Sequence, residues 1–296
     1  MELNTAHLRI TLAILVMFFS SIRAAMTHPH PKPRLPICAA IARGLLGALF
    51  VTPALAQTQG LSTQPGEEVG ISISNYTYEE QGYMDLKAVK LGVEYSITRT
   101  FSGAWPHKDE TSFFTGEFRF ATGDTKYTNI SGTTGSDLTD WYWEARALTG
   151  ADIDMDGYVL APYVGLGYRH LFNDLRPLTN GYRRESSYFS LPIGFTVRTR
   201  ASDQSQLLTT FEYMHLLSGT QTAQLKDYNP SGQNLSMKQS EGNGVRLKMI
   251  RQFPTWSIGP TLTYWRVGAS DTAGSPAYFE PKNNTLELGL SAKKRF

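Results

Sequence analysis

The sequence predicts an all-β fold: a transmembrane, antiparallel, up-and-down β-barrel, most simply of ten strands, with eight or twelve as neighbouring solutions. Three observations carry this. Apolar and polar residues alternate along most of the chain. The alternating segments are long enough to cross a bilayer. The connections between them fall into a long set and a short set.

The alternation is clearest over 89–101. There Val89, Leu91, Val93, Tyr95, Ile97 and Phe101 share one face, and Lys90, Gly92, Glu94, Ser96 and Thr98 the other. The end of the chain repeats it, with Leu286, Leu288, Leu290, Ala292 and Phe296 set against Glu287, Gly289, Ser291, Lys293 and Arg295. Period two places successive side chains on opposite faces of a sheet. Ten such segments are predicted at 68–78, 86–101, 112–121, 139–150, 157–170, 185–199, 206–217, 243–251, 255–267 and 284–296. Most reach the 9–11 residues that a tilted membrane strand needs.

If the first strand leaves the inner side of the membrane, the outer connections are 79–85, 122–138, 171–184, 218–242 and 268–283. The inner ones are 102–111, 151–156, 200–205 and 252–254. Every outer connection but the first is longer than every inner one, as membrane barrels require. An even strand count also returns both termini to the inner side. Residues 122–138 and 218–242, rich in Gly, Ser, Thr and Asn, are the expected exposed loops.

The polar faces carry Glu94, Glu117, Arg119, Glu144, Arg146, Arg169, Glu212, Arg246, Lys248 and Glu287, together with Gly92, Gly165, Gly167 and Gly289. Charges of both signs among small residues suit a narrow interior in which they pair, so these ten are the expected lumen charge network. A soluble ligand-carrying barrel would invert the pattern. The apolar faces carry aromatics near their ends (Phe101, Trp141, Tyr168, Tyr213, Trp256 and Phe296), where interfacial girdles sit.

The first 56 residues read as targeting. Lys32, Arg34 and Arg43 form a basic region, residues 44–52 an apolar stretch, and Ala54-Leu55-Ala56 a small-x-small cleavage signal. A second apolar stretch, Leu12 to Phe19, lies upstream, so translation is expected to start at Met26, with cleavage after Ala56 and a barrel over 57–296. Cleavage removes Arg9, Arg23, Lys32, Arg34, Arg43 and Glu2, turning the formal charge from +2 to −2. It also removes Cys38, the only cysteine, which suits an oxidising compartment. Cys38 is not read as a lipid-attachment site, because the apolar stretch follows it. With 28 basic and 26 acidic side chains, the near-balanced charge argues against a nucleic-acid binder. Past residue 56 no apolar run approaches the 20 residues of a membrane helix.

A signal peptide, alternating strands, unequal loops and a final Phe296 resemble the small outer-membrane β-barrels of Gram-negative bacteria, the OmpA-like or outer-membrane β-barrel domain proteins. The phrase APYVGLGYRHL over 161–171 is similar to strands of that group, and the resemblance covers 67–296. It implies the cell outer membrane as location, and lipid and lipopolysaccharide as surroundings. It also implies that the barrel-assembly machinery reads Leu288, Leu290, Ala292 and Phe296. Lys294 departs from the family pattern, which favours an apolar residue there. The resemblance implies no cofactor, no nucleic acid and no identified loop partner, since many activities share this scaffold.

Candidates for chemistry are few. Asp152, Asp154 and Asp156 before Gly157 resemble the front of a calcium loop, but its twelfth position is Tyr163 rather than Glu, so a solvated inner turn is expected. His170 and His215 fall near outer strand ends. Lipid hydrolases of this membrane hold a His beside a Ser. Ser218 follows His215 by three, which puts the two on opposite faces unless a bulge intervenes, and His170 is expected to have no such serine near it at all. Omptin-type proteases have ten strands too, yet neither histidine follows an aspartate at their spacing. The expected function is a non-enzymatic surface barrel with a filled lumen and polar outer loops for adhesion or partner contact. A small porin-like pore and an outer-leaflet lipid-modifying enzyme are the alternatives.

Overall fold

In the computed structural model, the residues described are 60–102, 111–201 and 205–296; the expected targeting region, the expected start at Met26, Cys38 and the expected cleavage site lie outside them. Ten antiparallel strands form the wall: β1 Gly66–Glu80, β2 Met84–Ser102, β3 Thr111–Asn129, β4 Thr134–Ala151, β5 Tyr158–Asp174, β6 Arg183–Arg200, β7 Gln206–Ala223, β8 Gly242–Gln252, β9 Trp256–Val267 and β10 Asn283–Arg295. Each pairs with its sequence neighbours, and β10 pairs with β1 from Arg295↔Glu68 to Asn283↔Glu80. That last ladder closes the ring and leaves no free edge, which a strand structure in lipid requires.

The wall is taller on one side. β2 to β7 run 17–19 residues, whereas β8, β9 and β10 run 11–13. The extra length lies at the end opposite the termini, here the far end. Residues 122–138, expected as a loop, are instead the continuing β3–β4 hairpin, with only 130–133 outside the strands. The expected loop 218–242 shrinks likewise: β7 continues to Ala223 and a short strand, Leu235–Gln239, pairs back onto it from Gly219↔Gln239 to Ala223↔Leu235. The four residues 130–133 are fewer than the eight of 103–110, so connection length alone no longer separates the two ends. Much of the far-end excess is ladder, not loop. Gly82 (φ 80°) and Gly132 (φ 81°) make the tight β1–β2 and β3–β4 turns, in a left-handed conformation costly for other residues.

Alternation assigns the faces. Along β1 and β2, Val69, Ile71, Ile73, Val89, Leu91 and Val93 are exposed, while Ser72, Ser74, Lys90 and Ser96 are buried. Higher up, the phase inverts. Past Val89 the outward residues of β2 become Lys87 and Asp85, and the inward ones Ala88, Leu86 and Met84. On β3, outward Phe118 and Phe120 give way to Thr122, Asp124 and Lys126, while inward Glu117 and Arg119 give way to Ala121 and Thr125. Apolar-out with charged-in is the arrangement of a membrane barrel; polar-out with apolar-in is that of a soluble one. The switch marks where the wall leaves lipid. This exterior and the closed ring make the chain an outer-membrane barrel.

Candidate functional site in the barrel interior

Inward parity brings one residue per pair of positions from every strand to the barrel axis, and these side chains stack in layers. Nearest the termini is a polar vestibule of about 190 Å³, lined by Glu68, Ser96, Thr98, Thr115, Thr196 and Arg198 among others. Its mouth is crossed by residues 60–65. The Thr63 amide and hydroxyl donate to Asp152 at 2.5 and 2.7 Å, Gln206 Nε2 donates to the Gly60 carbonyl at 2.6 Å, and Leu61 is buried. Asp152 also accepts from Arg198 at 2.8 Å. Asp152 departs from the expected solvated turn, being a buried anchor for the N-terminal strap because three donors converge on it, whereas Asp154 and Asp156 are exposed.

The middle layer is a lattice of charge. Arg119 lies 2.8 Å from Glu287 and 3.5 Å from Glu94, and Lys293 lies 3.1 Å from Glu94. Arg146 donates to Glu117 through Nε at 2.9 Å and through Nη2, and to Glu212 at 2.5 Å. Arg246 donates twice to Glu144, at 2.7 and 2.9 Å, and Lys248 lies 3.5 Å from Glu117. Tyrosine and serine hydroxyls add donors to two of these carboxylates. Tyr163 donates to Glu212 at 2.8 Å; Tyr142 and Ser74 donate to Glu287, at 2.8 and 2.6 Å. All ten charges expected in the lumen lie in this interior. Nine take carboxylate–cation partners; Arg169 takes none among the described residues and stacks over the Tyr142 ring, 4.5 Å from its centroid.

Sequence reasoning missed several members. Lys90 is fully buried, 2.6 Å from Asp140, with its ammonium 4.6 Å from the centre of the Tyr76 ring. Thr125 donates to Asp140 at 3.1 Å. Lys90 and Lys293 stand on the polar faces given by alternation, beside Glu94 and Glu287, and Asp140 shares the parity of Glu144 and Arg146, so parity alone places all three in the network. Above them an apolar cluster including Tyr76, Leu86, Leu138, Tyr142, Leu171 and Leu216 fills the axis.

The far mouth is fastened by Arg184, which donates to both Glu80 and Glu280, while Tyr78 donates to the same carboxylates at 3.0 and 3.1 Å. Glu280 belongs to the connection 268–282, so this clasp folds that loop inward. No signal in the loop sequence marks it. Burial pushes the Glu280 carboxyl up to about 8; Arg184 opposes the rise and Glu80 alongside adds to it. A raised carboxyl favours the protonated, docked form. Docking is therefore complete below the free value of 4.5 and weakens as pH climbs through about 8. Amide exchange of 268–282, corrected for its intrinsic rate, is expected to quicken across that window, and Glu280→Gln to flatten the dependence.

The histidines face outward. His170 Nδ1 lies 3.0 Å from Ser187 Oγ on the adjacent strand, so a serine does lie beside it, brought by the β5–β6 register rather than by sequence proximity. The ring sits among Trp141 and Trp143, at 5.6 and 6.2 Å. Among the described contacts no carboxylate hydrogen-bonds the ring, although Glu185 lies near enough to act on it electrostatically. A register shift on β7 leaves His215, Leu217 and Ser218 all exposed. A bulge does intervene there, and no hydrogen bond joins His215 to Ser218 among the described contacts.

No family model matches the chain, and no curated protein sequence matches it. Several solved structures are similar in shape. The Escherichia coli outer-membrane protease OmpT is 14% identical with a TM-score of 0.49, the match covering 81% of this chain and 100% of that one. The transport unit of the autotransporter AIDA-I, also from E. coli, is 10% identical with a TM-score of 0.39, covering 87% and 97%. The attachment invasion locus protein Ail of Yersinia pestis is 11% identical with a TM-score of 0.32, covering 79% and 100%. At these values the barrel assignment rests on the closed ring of pairings and the apolar belt, not on the neighbours.

Proposed function

We propose that this protein is a non-enzymatic surface barrel, closed to ions, whose far end is extracellular and offers polar hairpins and loops to partners, adhesion among them. One observation carries the reading. Above the belt the wall continues with its polar face outward and an apolar plug inside, which is how a structure stands out of the membrane while keeping its axis sealed. The OmpA-like resemblance fits such a scaffold. In the same reading, outward-facing Leu288 and Leu290 and the exposed Phe296 serve the assembly machinery together with Ala292. Lys294, which departs from the usual pattern, lies over the Phe296 ring, 5.1 Å from its centre, and so leaves the terminal aromatic presented.

The rival is a small pore, and conductance separates the two. Purified protein in planar bilayers is expected to give no stable current steps, because the charge lattice and the apolar cluster around Tyr142 occupy the interior. Reproducible ohmic steps would overturn the closed-barrel reading. The hydrolase alternative has only the His170–Ser187 contact in its favour.

A further inference from the structure

We infer that the barrel interior holds a buried binding site for a single small anion of the halide class, formed by Arg169 and Trp265. Arg169 is the only cation of the middle lattice with no carboxylate within 4 Å among the described residues. Its register partner across the ladder, Glu144, is committed to Arg246 at 2.7 and 2.9 Å. Glu287 is committed to Arg119, Ser74 and Tyr142. Two buried donors of Arg169, Nε and Nη2, consequently have no acceptor, and neither does the buried indole Nε1 of Trp265. Both side chains line one cavity of about 10 Å³, closed on the other sides by groups such as Met214 and Pro192.

The donor count decides the chemistry. Arginine and the indole N–H can only donate. A water here would bring two further donors into a cavity whose nearby carboxylate, Glu144, is already engaged. A halide in the cavity can accept from the N–H donors that line it, has no proton to place, and offsets the charge of a cation with no carboxylate within 4 Å among the described residues. The size, about 10 Å³, admits one water-sized occupant and excludes a polyatomic anion; a halide, slightly larger than water, needs the flexible Met214 side chain to give way. Arg146 borders this cavity, the neighbouring one of about 50 Å³ and the vestibule of about 190 Å³, so entry from the vestibule requires its side chain to move.

The test uses the folded, membrane-extracted protein. Crystals grown in bromide are expected to show an anomalous peak in this cavity. Unfolding midpoints in chloride are expected to rise saturably above those in gluconate at matched ionic strength. Arg169→Gln should abolish the chloride dependence. Should that variant fail to fold, Trp265→Phe keeps the charge and is expected to weaken apparent halide affinity several-fold. A cavity holding only a non-anomalous water, or midpoints identical in the two salts at every concentration, would overturn the site.

Discussion

Replacing Glu212 with leucine is expected to destabilise the barrel by about 3–5 kcal/mol, the usual cost of stripping a partner from a buried ion pair. Glu212 is fully buried and accepts from Arg146 at 2.5 Å, from Tyr163 at 2.8 Å and, more weakly, from Arg246 at 3.4 Å. Leucine fills much of the same volume but leaves a guanidinium and a phenol facing an apolar side chain. Arg146 retains Glu117 and Arg246 retains Glu144, so the lattice loosens locally rather than dissolving. Glu212→Gln keeps an acceptor in place and should cost less. Urea titration of protein folded into phospholipid vesicles measures the difference. A loss below 1 kcal/mol for the leucine variant would mean that water, not Glu212, satisfies these donors.

On the outside the sign of the rule reverses. Leu91→Arg is expected to cost roughly 2–4 kcal/mol, the range for a cation on the lipid face near the midplane. Leu91 is 62% exposed and lies mid-strand, between Val89 and Val93 on the same face. In a water-soluble barrel, that exposure would make the substitution nearly neutral. Two turns of the pleat higher, the native outward residue is Lys87, with a side chain 65% exposed. Moving arginine from 91 to 87 should therefore remove most of the cost, and the same vesicle titration reads both variants.

Those two predictions show which parts of the fold were legible in the sequence. Within lipid the environment is uniform on each side of the wall, so Val89 to Tyr95 and Leu286 to Leu290 alternate without interruption and both faces can be read directly. Beyond the lipid, the apolar residues move to the inside. Leu86, Leu138 and Leu171 hold the parity of Lys90, Asp140 and Arg169, so the strand persists while its apolar phase slips by one. Taken together with the Gly, Thr and Ser content of 122–138, that slip reads as the end of a strand, although the ladder runs on to Asn129 and resumes at Thr134. The lattice was visible as a set of parities but not as pairs, because Arg246–Glu144 and Arg119–Glu287 join residues 102 and 168 positions apart. The clasp of Glu280 on Arg184 and the strap at Thr63 on Asp152 depend on how connections fold back over the mouths, which alternation does not encode.

The account depends on which face of the wall meets lipid, and adjacent positions 93 and 94 decide that. With Cys38→Ser as background, single cysteines at 93 and 94 can carry an environment-sensitive fluorophore in vesicles containing nitroxide-labelled lipid. Val93 is 54% exposed, and Glu94 faces Arg119 and Lys293. The label at 93 is expected to emit from an apolar environment and to be quenched by the lipid nitroxide, while position 94 reacts poorly and escapes quenching. Quenching at 94 with none at 93 would contradict the account, placing the charged face in lipid and the apolar face around a lumen.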